Sequence, residues 1–205
     1  MKSSFRLVAF DADDTLWCCE KYFRLAEKRF AVLFPFPPDN TIRRYRDIAS
    51  RNLAIRGYGI KSSLAAMLEC AVELTGGSLS PEQLNGILAL NRDLAEHPLE
   101  LCPYAKEIVD LLAQHYRLAI ITKGDPAEQE RKLQASGLAG YFTGMTVLSE
   151  KTPDAYAKIL NQYNIHPSDF LMIGDSLSGD VFPVKKNRRQ CSIYFRRNTL
   201  AVRPF

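Results

Sequence analysis

In the segment RLVAFDADDTL at residues 6–16, an apolar run leads directly into a group of acidic residues. The run Arg6–Phe10 predicts a buried strand, and it is far too short for the apolar core of a signal peptide. Ligands of an open parallel sheet bind at the carboxyl ends of its strands. We therefore expect Asp11 and Asp13 to lie at a binding edge.

The chain from Cys18 to His97 has helical periodicity throughout. It predicts four helices: one around Tyr22–Phe34, then Thr41–Arg56, Ser62–Thr75, and one that begins at Pro81 and ends near His97-Pro98. Ser80 and Gln83 form the pattern of a capping box at the start of the fourth helix. Residues 18–97 are therefore predicted to be an all-helical insertion after the first strand.

From Pro103 onward, helices and strands alternate. The predicted elements are a helix over Tyr104–Gln114, a strand Leu118–Thr122, a helix capped by Asp125-Pro126, a strand near Met145–Leu148, a helix opened by Thr152-Pro153, and a strand Phe170–Ile173. Such alternation is typical of a parallel sheet with helices on both faces. The fold class is therefore α/β, a Rossmann-like core formed by residues 1–17 and 98–205, with the four-helix insertion between its first two strands.

The composition is that of an ordinary globular protein, with 46% hydrophobic and 24% charged residues among 205. The formal charge of +4 comes from the end of the chain, since residues 1–180 carry 20 basic and 23 acidic residues. The basic run at residues 185–189 lacks the interleaved aromatic residues of a nucleic-acid groove. We expect no nucleic-acid partner, no membrane association and, because the five cysteines are scattered, a cytoplasmic protein with reduced thiols.

Charged and polar residues follow each predicted strand of the core. They are Asp11 and Asp13, then Thr122, Lys123 and Gly124, then Lys151, and finally Asp175 and Asp180. Carboxylates gathered at one edge repel one another and have raised pKa values unless a cation lies among them. Mg²⁺ prefers oxygen ligands of this kind, and lysine, hydroxyl and backbone N–H groups suit a phosphate. The sequence thus predicts a magnesium-assisted phosphate site.

These residues resemble the four motifs of the haloacid dehalogenase-like hydrolases. Residues 10–16 (FDADDTL) are similar to the first motif, D-x-D-x-T-L, and Thr122 is similar to the second. Lys151 corresponds to the third motif, and Gly174-Asp175-Ser176 with Asp180 to the fourth. The motifs occur in family order across residues 6–184, and the helical insertion resembles the cap of one branch of that superfamily.

The resemblance implies a role for each matched residue. Asp11 would be the nucleophile that accepts the phosphoryl group, and Asp13 the general acid and base. Thr122, with Lys123 and Gly124, would bind phosphate oxygens, and Lys151 would offset negative charge. Magnesium would be held by Asp11, the Asp13 carbonyl and Asp175, with Asp180 in the same metal site through water or by orienting Lys151.

The resemblance also leaves alternatives open. The dehalogenases of the family lack a carboxylate two residues after the nucleophile, so Asp13 favours a phosphatase over a 2-haloacid dehalogenase. A non-catalytic phosphate-binding or regulatory protein of the same fold is the other alternative. A response-regulator receiver would need an acceptor Asp on a separate strand, and the predicted strands have none.

The expected activity is magnesium-dependent hydrolysis of a small phosphorylated metabolite through an aspartyl-phosphate, with the cap selecting the substrate. The candidates for that selection, such as Arg24, Arg51, Arg56 and Tyr58, have no order of preference from sequence. The protein is expected to be a monomer or a homodimer. The segment 181–205 departs from the family pattern, because Val181–Gln190 contains no glycine before a predicted strand Cys191–Phe195.

Overall fold

A computed structural model describes residues 5–186 and 190–193, which divide into two compact units. The sheet unit holds the described residues within Met1–Trp17, Leu101–Lys123 and Leu133–Phe205. The helical unit holds Cys18–Glu100 together with Gly124–Lys132.

The sheet unit is built on five parallel strands in the order β3-β2-β1-β4-β5. The strands are β1 (Leu7–Phe10), β2 (Arg117–Lys123), β3 (Phe142–Leu148), β4 (Phe170–Gly174) and β5 (Gln190–Ile193). The strand order reverses between β1 and β4, which is where parallel sheets of this kind place their ligands. Phe10 is in register with Ile120 on one side and with Ile173 on the other, so the chain leaves all three strands at one edge.

Helices cover both faces of this sheet, as predicted. They are α5 (Ala105–Ala113), α7 (Pro153–Tyr163) and α8 (Phe182–Lys186), and α6 (Pro126–Ala135) joins β2 to β3. On one face, Leu7 and Ala9 pack with Tyr156 of α7 and Val184 of α8. On the other face, Phe10 and Ile108 of α5 line the same small apolar cavity. This alternation follows from the period of two along a strand.

The helical unit consists of α1 (Glu20–Ala31), α2 (Pro38–Arg56), α3 (Ile60–Thr75) and α4 (Pro81–Glu96). Its core contains buried residues from all four helices, among them Phe30, Ile48, Met67 and Leu90. The predicted capping box is present, since the Ser80 hydroxyl accepts from the Gln83 N–H and the Gln83 side chain accepts from the Ser80 N–H.

The described boundaries differ from the predicted ones by a few residues at most elements, and three of these differences are informative. The second helix begins three residues early, at Pro38, because proline suits the first turn of a helix, where its missing N–H has no intrahelical acceptor. Residues 98–100 and 124–132 lie in the helical unit, where Lys132 of α6 pairs with Glu128 and donates to Cys19. The last strand is β5, parallel to β4, and residues 194–195 of its predicted range lie outside the described residues.

Among the described residues, every helix is too short or too polar to cross a lipid bilayer.

Candidate active site

Asp11 lies directly beyond the carboxyl end of β1, in the centre of the sheet. Its backbone N–H donates to the Ile173 carbonyl at 2.8 Å, which continues the pairing of β1 with β4 by one residue. That bond fixes Asp11 next to the segment Gly174–Asp180, which follows β4. The predicted meeting of the first and fourth motifs therefore results directly from the parallel register.

A buried cluster of two carboxylates and one lysine forms around Asp11. The Lys151 ammonium donates to Asp11 Oδ1 at 2.5 Å and to Asp180 Oδ1 at 2.6 Å. All three side chains are buried, and Asp180 is 0% exposed. A lysine between two buried carboxylates satisfies charges that would otherwise be very costly to remove from water.

Asp180 is held by contacts on both of its carboxylate oxygens. Oδ2 accepts the Ser176 backbone N–H at 3.0 Å, while Oδ1 accepts from Lys151. The Tyr156 hydroxyl donates to the Gly179 carbonyl at 3.0 Å and fixes the preceding residue. A side chain at position 174 would collide with the Asp180 carboxylate, so Gly174 is required for this close approach. Asp180 is thus placed to orient Lys151.

The pKa values of this cluster reflect burial and crowding of like charge. Burial, with the charges of Asp180 and Asp13, raises the pKa of Asp11 to about 6, although Lys151 opposes the rise. Burial lowers the pKa of Lys151, but the charges of Asp11 and Asp180 outweigh it and leave that pKa above its usual value. Asp11 is therefore mostly an anion at pH 7, and Lys151 is an ammonium.

Three carboxylates of the sheet edge can approach one cation. Oxygen atoms of Asp11, Asp175 and Asp180 all lie within 4.8 Å of one another. Partial burial, with the charges of Asp11, Asp14 and Asp180, raises the pKa of Asp175 to about 7. Such crowding of hard oxygen donors fits Mg²⁺, whose charge would relieve the repulsion. Because both oxygens of Asp180 accept hydrogen bonds, Asp11 and Asp175 are the better placed ligands.

Asp13 lies in the turn that follows Asp11, with its side chain partly exposed. Its Oδ1 accepts the indole N–H of Trp17 at 2.8 Å. Asp14, in the left-handed region with φ of 60°, reverses the chain, and its N–H donates to the Trp17 carbonyl at 2.7 Å. No motif of the sequence predicts this contact between Trp17 and Asp13.

The residues at the end of β2 are those predicted to bind phosphate oxygens. Thr122 is buried at the end of β2, and its hydroxyl donates to the Lys123 carbonyl at 3.3 Å. Lys123 is partly buried and faces Glu150 at 3.8 Å. Gly124 has φ of 125°, a conformation that strains residues with a side chain. The assignment of these three residues to phosphate binding stays a prediction.

The predicted site residues thus fall into two groups, the acidic residues with Lys151 and the residues 122–124 at the end of β2. The structure brings Asp11, Lys151, Asp175 and Asp180 together, and Asp13 follows on the same turn. Sequence reasoning missed Tyr156, which belongs to no motif, and the hydrogen bond from the Ser176 N–H to Asp180. Tyr156 occupies a core position of α7 and differs from an ordinary core residue only by its hydroxyl.

Comparison with known proteins identifies the family of this chain. A family model described as haloacid dehalogenase-like hydrolase matches residues 5–183, which include all four motifs. The chain belongs to the haloacid dehalogenase-like hydrolases. The resemblance predicted from the motifs is therefore confirmed, together with the α/β fold class.

Individual members of the family are similar over most of the chain. A haloacid dehalogenase-like hydrolase from Xanthomonas campestris superposes with a TM-score of 0.86, at 36% identity over 92% of this chain and 80% of its own. A glyceraldehyde 3-phosphate phosphatase from Pyrococcus abyssi is 24% identical over 88% of this chain and 77% of its own length. A phosphoglycolate phosphatase from Vibrio vulnificus is 26% identical, over 90% and 81% respectively.

Proposed function

We propose that this haloacid dehalogenase-like hydrolase is a magnesium-dependent phosphatase that cleaves a small phosphorylated metabolite through an aspartyl-phosphate on Asp11. Its family and its phosphatase relatives make the chain a hydrolase acting on phosphate esters. The magnesium dependence, the covalent intermediate and the substrate class are the parts that the proposal adds.

The placement of Lys151 between Asp11 and Asp180 carries the proposal. A carboxylate attacks a phosphate ester only if the negative charge of both is offset, because the two anions repel. The Lys151 ammonium lies against the proposed nucleophile, and Asp180 keeps it there. A purely structural lysine would not need a second carboxylate at the carboxyl end of the central strand.

The first half of the proposed reaction uses Asp11 and Asp13. An Asp11 carboxylate oxygen forms a bond to phosphorus as the bond from phosphorus to the leaving oxygen breaks. Protonated Asp13 gives its proton to that oxygen and releases an alcohol.

The second half returns both residues to their starting state. Ionised Asp13 removes a proton from water as the water oxygen attacks the phosphorus of the aspartyl-phosphate. Inorganic phosphate leaves, Asp11 is again a carboxylate and Asp13 is again protonated. Each turnover therefore consumes one ester and one water.

Asp11 and Asp175 would hold the magnesium ion, with the Asp13 main-chain carbonyl as the family resemblance implies, and with Asp180 contributing through water. When bound, the ion supplies positive charge that neutralises phosphate oxygens during transfer. The proposal assigns Thr122, Lys123 and Gly124 to the phosphate oxygens, and residues 18–97 to a cap that selects the substrate.

The 2-haloacid dehalogenase alternative is not favoured, because displacement of a halide needs neither Asp13 nor a metal-binding Asp175. The named phosphatase relatives point the same way. The proposal places the enzyme in the cytoplasm as a monomer or homodimer, with no nucleic-acid or membrane partner.

Hydrolysis of p-nitrophenyl phosphate tests the proposal. Phosphate release is expected with Mg²⁺ and not with EDTA, and Asp11→Asn should abolish turnover. Asp154→Asn, at an exposed position on α7, is the matched control and should retain activity. Retained turnover in Asp11→Asn would exclude Asp11 as the nucleophile. A panel of sugar phosphates, nucleotides and phosphorylated acids then identifies the substrate.

A further inference from the structure

Trp17 lies against the residue that the proposed function makes the general acid and base. Its indole N–H donates to Asp13 Oδ1 at 2.8 Å, a normal length for an N–H···O hydrogen bond. We propose that Trp17 is a positioning residue that fixes the Asp13 carboxyl group for proton transfer. This inference rests on the proposed phosphatase function and deepens it.

The backbone of the turn holds Trp17 in place independently of its side chain. The Trp17 carbonyl accepts from the Asp14 N–H at 2.7 Å, and the Trp17 N–H donates to the Ala12 carbonyl at 3.3 Å. Trp17 also forms an antiparallel bridge to Leu101. The turn is thus closed on itself, and the side chains at its two ends are brought together.

The indole ring is as firmly held as its backbone. Trp17 is 0% exposed, and it is among the largest fully buried side chains of the described residues. A buried indole has a single donor and no acceptor, so its N–H needs one partner. That partner is the Asp13 carboxyl group, on which the proposed reaction depends. If Trp17 only filled space, a phenylalanine could do so without needing a hydrogen-bond acceptor.

The hydrogen bond assigns different tasks to the two carboxyl oxygens of Asp13. Because an N–H points at Oδ1, the transferable proton is carried by Oδ2. The same bond sets the rotation of the carboxyl group about the Cβ–Cγ bond. Proton transfer is sensitive to such orientation, and a misplacement of about 1 Å can cost about 100-fold in rate.

The first test removes the N–H donor and compares two leaving groups. Nitrophenolate leaves without a proton, whereas an alkoxide needs one. In Trp17→Phe, kcat/KM should fall about 30-fold or more for an alkyl phosphate. The corresponding value for p-nitrophenyl phosphate should fall less than about threefold. Leu16→Val, at a buried position beside Trp17, is the control and should lower both values equally or not at all.

A second replacement covers the case in which Trp17→Phe does not fold. Trp17 is the single tryptophan of the chain, so growth on benzothienylalanine exchanges its N–H for sulfur with almost unchanged shape. This replacement should again lower kcat/KM for the alkyl phosphate much more than kcat/KM for p-nitrophenyl phosphate. In an Asp13→Asn background, neither replacement should lower kcat/KM for the alkyl phosphate further, because the group being positioned is already gone.

The outcomes separate this inference from the proposed function. If the wild-type protein hydrolyses neither substrate, the phosphatase proposal fails. If the wild-type protein is active but both replacements lower the two kcat/KM values equally, or leave both unchanged, Trp17 does not position Asp13. An additional loss in the Asp13→Asn background would overturn the inference in the same way.

Discussion

Two sets of charged side chains in this molecule follow opposite rules. On the four helices α1–α4 of the helical unit, exposed cations pair with exposed anions near the surface, as in Arg29 with Asp93 at 2.6 Å and Arg24 with Glu20 at 2.8 Å. At the edge of the sheet, acidic residues outnumber the lysine among them, and Asp11, Asp180 and Lys151 are buried. The exposed ion pairs stay in contact with water, whereas the crowded carboxylates at the sheet edge lower the stability of the folded state.

This difference points to the proposed active site without reference to a motif. Exposed ion pairs contribute little to stability and have no bearing on chemistry. Like charges that are buried together raise the pKa values of their carboxyl groups and lower the free energy of unfolding. Such groups are therefore typical of a site that binds a ligand or carries out a reaction. Burial and neighbouring acids raise the pKa of Asp11 to about 6, which is the sign of that cost.

The largest effect is expected from Lys151→Met, which removes the ammonium between two buried carboxylates. Phosphatase kcat/KM should fall about 1,000-fold or more, because the nucleophile and the phosphate lose an offsetting charge. The free energy of unfolding should fall by about 3 kcal/mol, the usual result of breaking a buried ion pair. Steady-state kinetics and urea unfolding measure the two changes.

Lys106→Met is the matched control for that variant. Lys106 pairs with Asp110 at 3.0 Å on the surface of α5, where both side chains are exposed. Its replacement should leave kcat/KM unchanged. If the two lysine variants behaved alike, the contrast between buried and exposed charges would be wrong.

A second, smaller effect on stability is expected from Asp175→Asn. The folded-state pKa of about 7 lies above the unfolded value near 4. The contribution of Asp175 to the free energy of unfolding is therefore fully present below about pH 4 and is lost as the pH rises through 7. In EDTA, the wild-type Tm should fall from pH 5 to pH 8, and the variant should lose part of that decrease.

The same variant separates stability from function. At pH 8 without metal, Asp175→Asn should be at least as stable as wild type, because a crowded anion has been removed, yet it should be inactive. Addition of Mg²⁺ should raise the wild-type Tm and leave the Tm of the variant almost unchanged. An equal Tm increase in both proteins would show that Asp175 is not a ligand.

The smallest effect is expected in the helical unit. Arg29→Ala breaks an ion pair whose two side chains are about half exposed. The free energy of unfolding should change by less than about 1 kcal/mol, and the kinetic constants should stay the same. A large loss of activity on hydrolysis of p-nitrophenyl phosphate would contradict the comparison, since it would make a solvated pair part of the active site.

Much of the fold could be predicted because its signals are local. Helical periodicity, the Ser80 capping box and the alternation after Pro103 each depend on neighbouring residues. Strand register then followed physically, since parallel pairing brings the residues after β1 and β4 to one edge. Helix starts were less accurate, as at Pro38, because proline signals both a break and a first helical turn.

The parts of the site that sequence did not predict depend on distant contacts. Asp180 could be assigned from its motif, but its hold on Lys151 is a contact across 29 residues. Tyr156 looks like a core residue until its hydroxyl is seen to donate to Gly179. The bond from Trp17 to Asp13 spans only four residues, but it depends on a left-handed Asp14, which composition does not reveal.

The most direct test of the account is to trap the phosphoryl group on Asp11. Wild-type enzyme is mixed with substrate and Mg²⁺, quenched in acid within milliseconds and digested with trypsin, and the peptide of residues 7–21 is analysed by mass spectrometry. A phosphoryl group is expected on Asp11 of that peptide, removed by hydroxylamine and absent in Asp11→Asn. Active enzyme whose peptide stays unmodified, or carries the group on another residue, would contradict it.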